Sequence, residues 1–272
     1  MNNQAPVGVF DSGLGGLTVL KEVISELPDE DVVYFGDTAR VPYGSKSRDT
    51  IVHYTKQILA FMKTKKVKAI VVACNTASAY ALEEVQASVP VPIVGVVKPG
   101  ALVAAKETEN GRIGVIGTRG TIRSGLYRKC LLEYRPDVEV FQKACPLFVP
   151  MVEEGLWEDE LTRTAAARYL QELKDAGVDT LIMGCTHYPL IRPIIREIMG
   201  ENVRLINPAH ETAKRMKEIL EEKQMCRDPF GTPSKTPYRF FVSDDPESFR
   251  DFASKILNFP LPMPEKIEIE GY

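Results

Sequence analysis

The chain has 272 residues, 44% apolar and 26% charged, with acids and bases interspersed to a formal net charge of −3, as expected for a soluble globular protein of one large or two small domains. This balance excludes a general nucleic-acid grip, which needs a basic surface. No apolar run approaches the ~20 residues of a membrane span, and the opening Met1-Asn2-Asn3-Gln4-Ala5 has no charged and apolar regions of a secretory leader, so a soluble cytoplasmic protein is expected.

Val7–Phe10 is a short apolar run, followed by the glycine-rich Gly13-Leu14-Gly15-Gly16. Leu17, Leu20, Val23, Ile24 and Leu27 then recur at helical spacing until Pro28 stops the helix. Val32–Phe35 reads as the next strand. Ser47 is a candidate N-cap for a helix with Ile51, Tyr54, Ile58 and Phe61 on one face. Ala69–Ala73 and Ile93–Val97 read as a third and a fourth strand. The apolar runs are continuous rather than alternating, which marks strands buried on both faces of a parallel sheet.

The pattern then begins again. Gly8-Val9-Phe10-Asp11-Ser12 parallels Gly114-Val115-Ile116-Gly117-Thr118, and Val32–Phe35 parallels Val138–Phe141, both at an offset of 106 residues. Cys74 and Cys185 lie 111 residues apart, and Pro99 and Pro208 lie 109 apart. The expected architecture is α/β with two pseudo-symmetric lobes, each a mostly parallel sheet flanked by helices, and an active site in the cleft between them. Lys98-Pro99 and Asn207-Pro208 are the candidate crossings, since proline breaks strand pairing and opens helices. Residues 1–97 and 208–272 then form the first lobe and 98–207 the second. Arg227–Pro237 reads as a connection, Tyr238–Val242 as a strand, Phe249–Leu257 as a helix and Lys266–Ile269 as a last segment of the first lobe.

Ligands bind open parallel sheets beyond the carboxyl ends of the strands. The residues at those ends are Asp11-Ser12, Asp37-Thr38, Cys74-Asn75-Thr76, Thr118 and Cys185-Thr186-His187, all small, polar or ionisable. The glycine stretch fits neither a dinucleotide fingerprint nor a P-loop. It reads as a tight turn whose amides could hold an anion. Five cysteines, none in a C-x-x-C pair, do not suggest a disulfide framework. Cys130 and Cys226, in predicted helices, and Cys145, before Pro146, read as structural. His53, His187 and His210 are scattered and lack zinc spacings, so no metal is expected. Cys74 and Cys185 read as chemical, because each ends a strand and is followed by polar residues. A helix N-terminus after each would favour the reactive thiolate, with Asp11 and His187 placed to tune or relay protons.

Phe10-Asp11-Ser12-Gly13-Leu14-Gly15-Gly16-Leu17, Gly36-Asp37-Thr38, Pro42-Tyr43-Gly44, Ala73-Cys74-Asn75-Thr76-Ala77 and Gly184-Cys185-Thr186-His187-Tyr188-Pro189 together resemble the cofactor-independent glutamate racemases. The resemblance spans nearly the whole chain. It implies interconversion of L- and D-glutamate without a cofactor, supply of D-glutamate for peptidoglycan and so for cell-wall biogenesis and cell shape, and assembly as a homodimer. It implies Cys74 and Cys185 as the two catalytic acid/base residues, assisted by Asp11, His187 and Glu153, with Glu154 the adjacent alternative. Asp11, Ser12, Tyr43, Gly44, Asn75, Thr76, Thr186 and His187 match substrate-binding positions. Relatives that require a peptidoglycan precursor as activator carry an N-terminal extension, so such activation is not expected here.

No arginine accompanies these motifs, so a clamp of neutral donors is expected, from Ser12, Asn75, Thr76, Thr118, Thr121, Thr186 and backbone N–H groups. No lysine accompanies them either, which argues against a Schiff-base cofactor. An aspartate racemase, a cysteine hydrolase built on Cys185 and His187, and a two-lobed binding protein are the competing readings.

Overall fold

The computed structural model describes residues 3–228, 230, 234 and 236–272, so the Arg227–Pro237 connection lies partly outside the described residues. Among the described residues there are ten strands: β1 (Val7–Asp11), β2 (Val32–Gly36), β3 (Ala69–Val72), β4 (Ile93–Gly95), β5 (Arg112–Gly117), β6 (Glu139–Ala144), β7 (Thr180–Gly184), β8 (Arg204–Ile206), β9 (Tyr238–Val242) and β10 (Glu265–Lys266). They form a six-stranded sheet, β10-β9-β2-β1-β3-β4, and a four-stranded sheet, β6-β5-β7-β8. Every pairing is parallel. The order β2-β1-β3-β4 is repeated by β6-β5-β7-β8, which is the repeat that the offsets imply. The first sheet is then extended past β2 by β9 and β10.

The continuous apolar runs have the expected cause. β1, β2, β3 and β7 are buried at every position, with helices covering both faces. β6 is an edge strand, only partly buried, and it carries the polar Gln142 and Lys143. The helix Leu17–Glu26 buries Leu17, Leu20 and Val23 and ends at Leu27, just before Pro28. Ser47 caps the helix Arg48–Thr64 by accepting from the Thr50 N–H. Among the described residues, no helix is long and apolar enough to cross a membrane.

Two local expectations need correction. β4 ends at Gly95, and Val97 opens a helix, Val97–Glu107, that runs through Pro99. Proline fits a first helical turn because its missing N–H has no partner there, and the burial of Val96 and Val97 overrides their strand preference. Cys226 is exposed and lies beyond the helix Pro208–Glu222. The last strand stops at Lys266, and Ile269 turns into a 3₁₀ segment, where it is buried with Phe61 and Phe241.

The two crossings touch each other. A Cβ on Gly100 would lie 2.9 Å from Cβ and Cγ of Pro208. The helices that begin each crossing, Val97–Glu107 and Pro208–Glu222, therefore pack backbone against ring and tie the lobes together at one side. Gly100→Val should lower stability by about 1–3 kcal/mol, the usual range for overpacking, as measured by urea denaturation. An unchanged midpoint would show that this contact gives way freely.

Candidate active site

The carboxyl ends of β1, β3, β5 and β7 converge between the sheets. They enclose a cavity of about 30 Å³, lined by Ser12, Val41, Pro42, Tyr43, Gly44, Cys74, Asn75, Thr76, Thr118, Val149, Glu153, Cys185, Thr186 and His187. A wider space of about 330 Å³ adjoins it and shares Val41, Pro42, Gly44, Thr118, Val149 and Glu153, with Ser45, Arg119, Pro146 and Pro150 added. This outer space is the mouth of the site.

The turn after β1 explains one wall. The Gly13 and Gly16 N–H groups donate to Asp11 Oδ2 at 3.0 and 2.9 Å. The anion that this glycine turn holds is thus its own aspartate. Burial pushes the Asp11 carboxyl up, against the opposing pull of the His187 charge and these amides. The turn then presses on the second lobe: a Cβ on Gly15 would lie 2.4 Å from both His187 Nδ1 and Thr186 Oγ1. Thr18 completes the contact by donating to the Thr186 carbonyl at 2.8 Å.

Cys74 ends β3 and caps the short helix Asn75–Tyr80, its Sγ accepting from the Ala77 N–H at 3.5 Å. Its thiol is pushed up to about 12, first by burial and then by the Asp11 charge, although the Ala77 N–H and the Ser12 hydroxyl pull the other way. The expected preference for thiolate is therefore outweighed here, because desolvation of a buried charge exceeds what one amide returns. The helix N-terminus expected directly after Cys185 is also absent, a 3₁₀ turn, Tyr188–Ile191, standing in its place.

Cys185 ends β7 on the opposite side. Its Sγ lies 3.8 Å from His187 Nδ1, and His187 Nε2 lies 2.9 Å from Glu153 Oε1. Burial alone would lower the His187 pKa, but hydrogen bonds and charge from Cys185 and Glu153 raise it to about 10. The imidazole therefore holds its proton more firmly than a free histidine, between the Cys185 sulfur and the Glu153 carboxylate. Of the two adjacent glutamates, it is Glu153 that meets the histidine.

Hydroxyl and amide groups bridge the lobes between the thiols. Thr76 Oγ1 lies 2.9 Å from Thr118 Oγ1 and 3.3 Å from Thr121 Oγ1. Asn75 Oδ1 accepts from the Tyr127 hydroxyl at 2.7 Å.

Eleven of the thirteen site residues expected from sequence line the cavity: Ser12, Tyr43, Gly44, Cys74, Asn75, Thr76, Thr118, Glu153, Cys185, Thr186 and His187. Asp11 and Thr121 lie one layer behind it. Asp37-Thr38, expected at the cleft, do not reach the cavity, and the Asp37 carboxylate is consumed by Tyr43, Arg40 and Ser243. Sequence reasoning missed Val41, Pro42 and Val149 as lining residues, and Tyr127 and Thr18 as their supports. Pro42 stood inside a quoted motif and Val149 beside Glu153, so position signalled both; Tyr127 and Thr18 carry no local signal.

The family model for Asp/Glu/hydantoin racemases matches residues 11–216. The chain belongs to this family. It is therefore a racemase, an isomerase by reaction class. A glutamate racemase from Geobacter metallireducens is 49% identical over 265 residues, covering 97% of each chain. Among solved structures, the glutamate racemase isoform RacE1 from Bacillus anthracis superposes with a TM-score of 0.93 at 38% identity, over 98% of each chain. The glutamate racemase from Francisella tularensis, solved in complex with D-glutamate, gives a TM-score of 0.91 at 38% identity, over 99% of this chain and 100% of that one.

Replacing Asp11 by Ala strands two buried amides, so Asp11→Ala should cost about 1–3 kcal/mol of stability. Denaturant titration checks this. A loss below that range would mean that the turn finds other acceptors.

Proposed function

We propose that the protein interconverts L- and D-glutamate by proton transfer between two cysteines, Cys74 and Cys185, one on each face of the substrate α-carbon. The observation that carries this reading is the placement of the thiols. Each ends the equivalent strand of one lobe, β3 or β7, and both face one cavity. The glutamate racemases similar to this chain over nearly its full length support glutamate as the substrate.

In this mechanism one cysteine, as thiolate, removes the α-proton while the other, as thiol, protonates the opposite face. The two protonation environments already differ. Cys74 is held towards the thiol by burial beside Asp11, whereas Cys185 faces a charged imidazole backed by Glu153. The roles reverse for the other enantiomer.

The α-proton is very weakly acidic, so charge developing on the substrate carboxylate has to be met by donors already in place. Ser12, Asn75, Thr76, Thr118 and Thr186 line the cavity as neutral donors, with Thr121 supporting Thr76 and Thr118 from behind. Tyr43 contributes its ring and backbone, since its hydroxyl is committed to Asp37. The cavity of about 30 Å³ holds roughly two water molecules and opens into the adjoining space of about 330 Å³. The same reading has the enzyme act in the cytoplasm, as a homodimer, and supply D-glutamate for peptidoglycan.

Circular dichroism with L- and D-glutamate and L- and D-aspartate tests the assignment, and preferential turnover of aspartate would overturn it. Cys74→Ser and Cys185→Ser should each lower racemisation by about 10²–10⁴-fold, the share that one acid/base group supplies. Near-normal turnover by both variants rules out the two-thiol scheme.

His187 bears on pH dependence. Its pKa stands above its unfolded value, so its charge is present below about 10 and lost as pH rises through that value. Glu153→Gln removes a charge that holds the value up. The alkaline limb of kcat/KM should then move to lower pH by about one unit, and an unmoved limb would detach His187 from turnover.

A further inference from the structure

The residue after β9, Ser243, lies outside the four-strand repeat and has no counterpart in the second lobe, whose sheet ends at β6. Parallel pairing sets Val242 opposite Gly36, so Ser243 and Asp37 leave their strands side by side. The Ser243 hydroxyl donates to Asp37 Oδ1 at 2.8 Å and accepts from the Ala39 N–H at 2.9 Å. The other carboxylate oxygen, Oδ2, accepts from Arg40 Nε at 2.7 Å and from the Tyr43 hydroxyl. Thr38 Oγ1 accepts from the Asp244 N–H at 2.8 Å and donates to the Asp244 carbonyl. The Arg40 guanidinium lies 4.0 Å over the Tyr54 ring, and the Tyr43 ring packs on Tyr54 at 5.6 Å.

Through Tyr43 these contacts reach the segment Val41–Gly44, which lines the cavity and, at Val41, Pro42 and Gly44, its mouth. At the far end of the segment, Gly44 meets the second lobe, where a Cβ would lie 2.5 Å from Thr118 Cβ. Asp37 is fully buried yet faces no substrate space. A buried carboxylate is costly unless fully bonded, and Asp37 is bonded at both oxygens, to Ser243 on one side and to Arg40 and Tyr43 on the other.

We infer that Asp37 and Ser243 are positioning residues, a clamp through which the C-terminal strand β9 sets the cavity wall Val41–Gly44 against Thr118. Neither residue touches the reacting atoms. The clamp acts through Tyr43, whose phenol is a strut rather than a ligand. Its kinetic consequence rests on the racemase reading above; its structural consequence does not.

The test compares the full-length wild type with Ser243→Ala, Ser243→Thr, Tyr43→Phe, the double variant Ser243→Ala/Tyr43→Phe, and Thr55→Val. Thr55 is a matched control. Its buried hydroxyl donates to the Ile51 carbonyl at 2.7 Å, within its own helix in the same lobe. A wall displaced by about 1 Å costs up to 10²-fold in turnover efficiency. Ser243→Ala should therefore raise the KM for glutamate by about tenfold, with kcat changed far less. Ser243→Thr keeps the hydroxyl and should restore KM. Because both groups act on one carboxylate, the double variant should raise KM less than the product of the single effects. Thr55→Val should leave KM and kcat unchanged. Amide hydrogen exchange read by mass spectrometry should quicken across residues 41–45 in Ser243→Ala but not in Thr55→Val.

Wild-type KM together with wild-type exchange in Ser243→Ala would overturn the clamp, as would fully independent effects in the double variant. A wild type inactive on glutamate would instead sink the glutamate assignment, and the exchange measurement would still decide the clamp.

Discussion

The two lobes can share one site only where side chains are missing between them. At Gly15 the turn after β1 reaches Thr186 and His187 so closely that a methyl group would overlap both. At Gly44 the same holds against Thr118. These two approaches hold the lobes together beside the cavity. They bring the end of β3 to the end of β7, and they let single hydrogen bonds, from Thr18 to the Thr186 carbonyl and from Tyr127 to Asn75, cross the gap. A larger residue at either glycine would part the walls and with them the two thiols.

Once the walls are that close, burial governs the chemistry. The symmetry of the fold puts one cysteine at each strand end, but the surroundings are not symmetric. On one side stands Asp11, its charge stabilised by glycine amides and adding to the burial that pushes the Cys74 thiol up. On the other stands a histidine kept charged by Glu153 and Cys185. The repeated strand order thus supplies paired positions for the two cysteines, and their different neighbours give them different surroundings. The appended strand β9 adds to this asymmetry, because it buttresses the wall of only one lobe.

The fold was legible wherever burial is local and periodic. The run Ala69–Val72, the helical spacing from Leu17 to Leu27 and the cap at Ser47 each encode their element in a few neighbouring residues. The reading slipped where tertiary packing outweighed local preference. Val96 and Val97 look like strand but turn into a helix at the lobe crossing. The site was legible in its two cysteines and their polar followers. Asp37 looked equally exposed to the cleft in sequence, but it faces inward because Tyr43, Arg40 and Ser243 all reach it first.

The sequence by itself determined the strand positions, their repeat, and the delivery of one thiol at the end of each equivalent strand, since these follow from apolar runs and the residues that break them. Only the tertiary structure decided the partners. It joined His187 to Glu153 rather than Glu154, turned the glycine amides onto Asp11, and brought Ser243 to Asp37 across 206 positions. Local patterns record which face of an element is buried. Which group meets which across the cleft depends on how whole elements dock, and that information is spread over every contact between them.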